Sequence, residues 1–140
     1  MANLEEVERR RAERKAKLET ERVSQRALDL EAIDALEVEL GDANVAVVDV
    51  PFDGGVTCAA VRTASPAEVK RYQDKVRPRG SDGALGDTAK AAEQVGRACT
   101  VYPVDEARDT LFIARPAVVA QLGLEALRLA RGTAQAEGNA

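Results

Sequence analysis

RACTVYP, residues 97–103, is the stretch that decides how the helices of this chain are arranged. A helical pattern of small apolar residues runs into it from Thr88, Pro103 ends that pattern, and a further helix is predicted just beyond it. The stretch also contains one of the two cysteines and one of the two tyrosines. We therefore expect Cys99 and Tyr102 to be core residues that hold the helix before the stretch against the helix after it.

Length and composition indicate one domain with an appended arm. The chain has 140 residues and a net charge of −4, with both signs interspersed along the sequence. No cluster of Lys and Arg is interleaved with aromatic residues, so a nucleic-acid groove is not expected. No apolar run approaches the roughly 20 residues of a membrane span, and no hydrophobic signal segment follows Met1. We expect Cys58 and Cys99 to be reduced and buried in a cytoplasmic protein.

Residues 1–40 form a charged segment that is predicted to be helical from about residue 4. It contains eight basic and eleven acidic residues and neither glycine nor proline. Opposite charges three or four positions apart, such as Glu6 and Arg10, support a solvated helix. A heptad register through the segment is interrupted by Arg11 and Arg14, so a coiled coil is not predicted.

The second half of this segment has a better apolar face than the first half. The residues expected to dock on a core are Leu28, Ile33, Leu36 and Leu40. Gly41 is predicted to end the helix, because glycine readily adopts the backbone conformation that follows many helix C-termini.

Residues 45–62 are predicted to form a β-hairpin. The segment from Val45 to Val50 is dense in β-branched residues, Asp53-Gly54-Gly55 supplies a turn, and a second apolar run follows. A helix is expected to cover one face of the hairpin, since an isolated hairpin is marginal in water. The Val-rich edge could also pair with a second copy of the chain, and both arrangements remain open.

The remaining chain is predicted to form several short helices. Ser65, Pro66 and Glu68 form a capping box with a proline start, which predicts a helix over 66–76. Further helices are predicted over 88–101, 105–113 and 116–131, with Gly132 ending the last one. A loop is predicted at 77–87 and a polar tail at 133–140.

These elements define the predicted fold class, which is α+β. We expect a small, mostly helical domain at 43–132 that contains one β-hairpin and is preceded by the long charged helix of 1–40. The predicted core residues are Val69, Tyr72, Val95, Cys99, Tyr102 and Leu111.

The last predicted helix has more apolar residues than a single core requires. Steps of about 100° place Leu124 and Leu129 away from the line through Val119 and Leu122. The charged arm could fold back over the surplus, or the surplus could be a patch for a partner or a second copy. The candidate partner-binding residues are Val118, Leu122, Leu124 and Leu129.

The sequence predicts no catalytic residue, no cofactor site and no metal site. It contains no histidine, which excludes His-based general bases, His-dependent triads and His metal sites. Two cysteines cannot supply the four soft ligands of a structural zinc site. The glycines of the 77–87 loop lack the Lys-Ser/Thr pair that follows a phosphate-binding loop. We therefore expect a protein that is not an enzyme.

Several short motifs occur in an order that resembles a known family. They are Val61-Arg62, Ser65-x-x-Glu68-x-x-Arg71-Tyr72, the 97–103 stretch, Arg115-Pro116 and Leu129-Ala130-Arg131-Gly132. Over about residues 56–132 the chain resembles the tail assembly chaperones of long-tailed bacteriophages. The 40-residue charged arm and the loop at 77–87 depart from the pattern of that family.

The resemblance implies a binding function in the host cytoplasm. Chaperones of this family coat the long helical tape-measure protein before the tail tube polymerises, and a longer frameshift form recruits tube subunits. The implied partners are the tape-measure protein and the tail-tube protein, with no nucleic acid and no membrane. Self-association through the arm or the hairpin edge is a further expectation. The alternatives are a structural virion protein of the tail or head–tail connector, and a small cytoplasmic protein-interaction adaptor.

Overall fold

The computed structural model describes residues 3–77 and 87–138, with side chains described as far as Gly132. Its helices are α1 (Leu4–Leu40), α2 (Pro66–Val76), α3 (Thr88–Cys99), α4 (Asp105–Ala114) and α5 (Pro116–Gly138). Its strands are β1 (Val45–Asp49), β2 (Cys58–Arg62) and β3 (Thr100–Tyr102), and a short 3-10 helix spans Asp42–Asn44. The predicted α+β class, mostly helical and beginning with a long helix, is confirmed. The loop predicted at 77–87 lies almost entirely outside the described residues.

The three strands form one antiparallel sheet in the order β1-β2-β3. The predicted hairpin is confirmed, with Val45 of β1 paired to Arg62 of β2. The sequence predicts helix as far as residue 101, but α3 ends at Cys99 and the next three residues pair with β2. The β-branched Thr100 and Val101 fit this position, since the second edge of β2 offers them a hydrogen-bonded ladder.

Helices cover both faces of the sheet, so the fold has three layers. On one face, α1 packs through Ile33 against Cys58 and Ala60 of β2. On the other face, α3 and α5 pack on the alternate residues of the same strand, Ala59 and Val61. Strand β2 is therefore apolar on both faces, because it lies between two helical layers.

Helices α3 and α5 cross at a pair of glycines. A Cβ atom at Gly96 would collide with the main-chain carbonyl oxygen of Val119, and one at Gly123 would collide with that of Ala92. The two backbones therefore touch directly, at a separation that only glycine permits. This crossing draws α5 onto α3 as well as onto the sheet.

The six predicted core residues are distributed over both faces of the sheet. Those that are buried, between the sheet and the C-terminal helices, are Val95, Cys99 and Leu111. Val69 and Tyr72 are partly buried and pack against the same cluster from α2. Tyr102 is partly buried on the opposite face, in the cluster under α1. The expectation that Tyr102 holds α3 against the following helix is therefore wrong, since it holds β3 against α1.

The second half of α1 docks on the sheet, with one difference from the predicted face. Ile33 is buried and Leu40 packs beside it, whereas Leu28 is 60% exposed. The docked face passes through Asp29 instead of Leu28, because Asp29 lies four residues before Ile33. Gly41 ends the helix as predicted, at a φ of 94° that favours glycine.

The predicted helix ends are correct for α2 and wrong for α5. The capping box of Ser65 and Glu68 is present at the start of α2. Gly132 does not end α5, which continues to Gly138 through the first part of the segment predicted to be a polar tail. A glycine inside a helix costs only about 1 kcal/mol relative to alanine, so one such residue does not force a stop.

Candidate partner-binding surfaces

A fully buried carboxylate, that of Asp29, joins α1 to the sheet. It accepts hydrogen bonds from the main-chain N–H and the hydroxyl of Thr57, each at 2.7 Å. The side-chain amide of Gln25 donates another at 2.9 Å, and the Tyr102 hydroxyl donates a fourth. Thr57 directly precedes β2 and Tyr102 ends β3, so this one side chain ties α1 to both strands.

The surroundings of Asp29 favour its charged form. Burial alone would raise its pKa, but the hydrogen bonds from Tyr102, Thr57 and Gln25 outweigh that effect and hold the pKa below its ordinary value. Burial, followed by the bond to Asp29, raises the pKa of Tyr102. Because protein donors occupy both carboxylate oxygens, the cluster is suited to holding α1 in place rather than to exchanging protons.

A second polar cluster joins β2, α2 and α3 around Glu68. Both terminal guanidinium nitrogens of Arg62 donate to the Glu68 carboxylate, at 2.8 and 3.1 Å. Arg62 also donates to the Ala98 carbonyl at 3.0 Å, near the C-terminus of α3. The hydrogen bonds from Arg62, and then those from Ser65, lower the pKa of Glu68 to about 2.

The thiol of Cys99 lies beside this cluster and is not activated. It is fully buried and donates to a Glu68 oxygen at 3.6 Å. Burial raises the pKa of Cys99 to about 12, and burial raises the pKa of Cys58 as well. Both cysteines are free and buried, as predicted. Their thiols stay protonated near neutral pH and are poor nucleophiles.

Neither a metal site nor a concave acid–base site stands out in the part of the chain that the structure describes. No group of three or more Cys, Asp or Glu side chains there is placed to hold a metal ion. A cleft of 320 Å³ lies between α2 and α3, and the Glu68 carboxylate that lines it is already bound to Arg62. No single described helix has the length and apolarity to span a membrane; α4 and α5 together would meet those criteria, across a bend of 108°.

The four predicted partner-binding residues of α5 do not form one exposed patch. Leu122 is fully buried, so its prediction as a partner-binding residue is wrong. Val118 and Leu129 are partly buried and pack against the same core. Leu124 alone among the four is largely exposed, at 49%. The apolar surplus of α5 is mostly buried because the helix is covered on two sides, by the sheet and by α3.

The first half of α1 projects beyond the three layers. Every residue from Glu8 to Glu21 is exposed. The first side chain of α1 that bonds to another element is that of Arg26, whose guanidinium lies 3.3 Å from an Asp49 carboxylate oxygen. At about 1.5 Å per residue, residues 4–25 extend for about 33 Å. We call residues 4–25 the arm.

One face of the arm carries positive charge that no ion pair neutralises. The residues of this face, which we call the basic stripe, are Arg11, Arg14, Lys15 and Leu18. Their spacings of three, four and seven positions place them on one side of the helix. Among the described residues, the cations of the stripe have no ion-pair partner, whereas Arg9, Arg10 and Arg22 pair with glutamates of the arm. Arg11 and Arg14 interrupt the heptad pattern of apolar residues. Their spacing relative to Leu18 is the feature of the sequence that identifies the stripe.

The arm with its basic stripe and the exposed Leu124 are candidate surfaces for a partner. No protein-family model, no curated protein and no solved structure matches the chain. The function therefore has to be inferred from the chemistry of these surfaces and from the order of the sequence motifs.

Proposed function

We propose that this protein is a tail assembly chaperone of a long-tailed bacteriophage. It binds the tape-measure protein in the host cytoplasm, helps to recruit tail-tube subunits, and catalyses no reaction. The order of the motifs over about residues 56–132 supports the family, and the arm, which projects by about 33 Å with its middle fully exposed, supplies a surface for a partner. Most helices in proteins are stabilised by packing of an apolar face, so a helix of this length without such packing points to a partner that supplies it.

The basic stripe indicates the chemistry of the surface that the arm would bind. Leu18 supplies an apolar contact at the C-terminal end of the stripe, and the three cations lie on its N-terminal side. A helix with acidic residues on one side of an apolar position complements this face. A second copy of the arm does not, because antiparallel pairing about the centre of the stripe brings Arg14 of one arm next to Lys15 of the other. A long helical partner such as a tape-measure protein offers many such acidic and apolar positions in sequence.

Co-purification with the tape-measure protein encoded by the same phage tests the proposal. One variant reverses the charge of the stripe through Arg11→Glu, Arg14→Glu and Lys15→Glu. It should weaken binding at least about tenfold, because three attractive contacts become repulsive. The matched control carries Arg9→Glu, Arg10→Glu and Lys17→Glu. It changes the net charge equally on other faces of the arm and should bind within about twofold of the parent.

Further outcomes separate the alternatives. Leu124→Glu should stay folded, because Leu124 is 49% exposed. If this variant loses the tape-measure protein and the stripe variant does not, the binding surface lies on α5 rather than on the arm. If mass spectrometry finds the protein in purified particles in the amount of a structural component, it is a virion protein. If the parent protein binds no phage component at all, the chaperone proposal is wrong.

A further inference from the structure

Strand β1 has a hydrogen-bonding edge without a partner. It is the outer strand of the sheet, and among the described strands it pairs with β2 alone. The main-chain bond from Val50 to Thr57 shows that the even-numbered residues of this segment face β2. The N–H and C=O groups of Val47 and Asp49 therefore point away from the sheet. Within residues 3–77 and 87–138, no hydrogen bond reaches these groups.

Exposed apolar side chains lie beside this edge. Helix α1 runs antiparallel to β1, with Arg26 at Asp49. Four residues along α1 and two residues back along β1 each cover about 6 Å, so Leu30 lies level with Val47. Leu30 is 45% exposed and Val47 is 42% exposed. The unpaired edge thus carries the half-exposed Val47, with the half-exposed Leu30 level with it on α1.

The edge lacks the lysine, the proline and the β-bulge that often keep edge strands from pairing. Strand β1 contains no lysine and no proline, and its pairing with β2 is regular. Its one charged residue, Asp49, is bound to Arg26. The proline nearest to the strand is Pro51, which lies beyond its end. Proline cannot donate a main-chain hydrogen bond, so it would block pairing only if it lay within the strand. An open, regular and apolar edge of this kind is a template for another strand.

We propose that β1 pairs antiparallel with β1 of a second copy, in a two-fold dimer centred on Val47. Val47 is the midpoint of the five residues of β1, so the edge is complementary to itself about this residue. In this register each Val47 exchanges two hydrogen bonds with its counterpart, and each Asp49 N–H faces the Val45 carbonyl of the other copy. A register centred on Asp49 would place two carboxylates opposite each other, which is destabilising.

This dimer would bury the β1 edge and the apolar side chains beside it, which are exposed in the single chain. The Val47 side chains of the two copies become neighbours, and each Leu30 lies beside the joined strands. The two sheets become one sheet of six strands, and the two arms point in opposite directions because the two-fold axis reverses α1. The dimer depends only on β1 and α1, so it stands or falls independently of the chaperone role.

Light scattering and sedimentation of the full chain measure the dimer directly. We expect the parent protein to have twice the mass of one chain. Val47→Lys should raise the dimer dissociation constant at least about tenfold, because it places two like charges opposite each other and removes the central apolar contact. The matched control is Val38→Lys, at a position of α1 that is 80% exposed, and it should leave the dissociation constant unchanged. A monomeric parent, or a Val47→Lys variant that dimerises as well as the control, overturns the proposal.

Cross-linking tests the two-fold centre. Hydrogen-bonded residues of an antiparallel pair have Cα atoms about 5.5 Å apart, within the range of a disulfide. Val47→Cys should therefore give a covalent dimer on oxidation, while Asp49→Cys and Val38→Cys should not. The native cysteines are both buried and do not interfere. Cross-linking of Asp49→Cys as fast as Val47→Cys would show that the proposed register is wrong.

Discussion

Asp29 is a buried carboxylate whose charged form is stabilised by neutral hydrogen-bond donors. In the described part of the chain no cation donates to it, and its partners there are the Tyr102 hydroxyl, the Gln25 amide and two groups of Thr57. Hydrogen bonds to a charged group are stronger than neutral ones, and a buried charge that loses one is left poorly solvated. Each donor is therefore worth more to stability than an ordinary surface hydrogen bond.

Removal of one donor directly tests how much the hydrogen bonds to Asp29 contribute to stability. Tyr102→Phe keeps the ring and deletes the hydroxyl, so Asp29 loses one of its four hydrogen bonds. We expect the free energy of unfolding to fall by about 1–3 kcal/mol, measured by urea denaturation. Asp29→Asn serves as the reference in a double-mutant cycle, in which the two effects should not add. Additive effects, or a loss below about 0.3 kcal/mol for Tyr102→Phe, would contradict this account.

The crossing of α3 and α5 is a direct contact between two backbones. Each helix brings one glycine to the crossing, and each glycine faces a main-chain carbonyl of the other helix. The contact is between rigid backbones, so neither helix can yield by a rotamer change. This crossing, together with the sheet, buries Leu122 and leaves Leu124 exposed.

A single methyl group at the crossing should therefore be costly. Gly96→Ala would place its Cβ against the Val119 carbonyl, and the helices would have to separate. We expect a loss of about 2–3 kcal/mol in urea denaturation, even though alanine favours helix. Gly132→Ala is the matched control, because nothing lies within 4 Å of a Cβ at that position. The control should be neutral or stabilising by up to about 1 kcal/mol, and equal effects of the two substitutions would refute the close contact.

For the whole molecule, two carboxylates with lowered pKa values join the layers. Asp29 attaches α1 to one face of the sheet, and Glu68 connects α2 with β2 and α3. A carboxylate with a lowered folded-state pKa contributes stability at pH values above its unfolded pKa. That contribution is lost as the pH falls through the folded-state value. The free energy of unfolding should therefore fall in acid, because the contacts that Asp29 and Glu68 make on the two sides of the sheet both weaken.

The lowered pKa of Glu68 defines the pH range over which its contribution to stability is lost. Its pKa falls from 4.5 to about 2 in the folded chain, so its share of stability should decline between about pH 4.5 and pH 2. One pKa unit corresponds to about 1.4 kcal/mol, and solvent at the 37% exposed Arg62 side chain reduces the total to about 2 kcal/mol. Urea denaturation at a series of pH values measures the decline, and Glu68→Gln should flatten it. A parent curve that is flat below pH 4.5 would contradict the role of this ion pair.

Local sequence patterns predicted the elements whose signals lie within a few residues. The bounds of α1 follow from a run of helix formers that ends at Gly41, and the start of α2 follows from the Ser65–Glu68 capping box. The hairpin follows from two β-branched runs around a glycine turn. These features were predictable because helix caps, turns and strand preferences depend on interactions between close neighbours in the chain.

Tertiary structure alone decided which residues are available to a partner. Strand β3 forms because β2 offers it an edge, and Asp29 is buried because Thr57 and Tyr102 bring donors to it from distant parts of the chain. Leu122 was predicted to bind a partner and is buried, because α3 and the sheet both cover α5. Likewise, the main-chain groups of Val47 face away from the sheet because β1 is its outer strand. These outcomes are set by groups far apart in sequence, whose meeting no local pattern encodes.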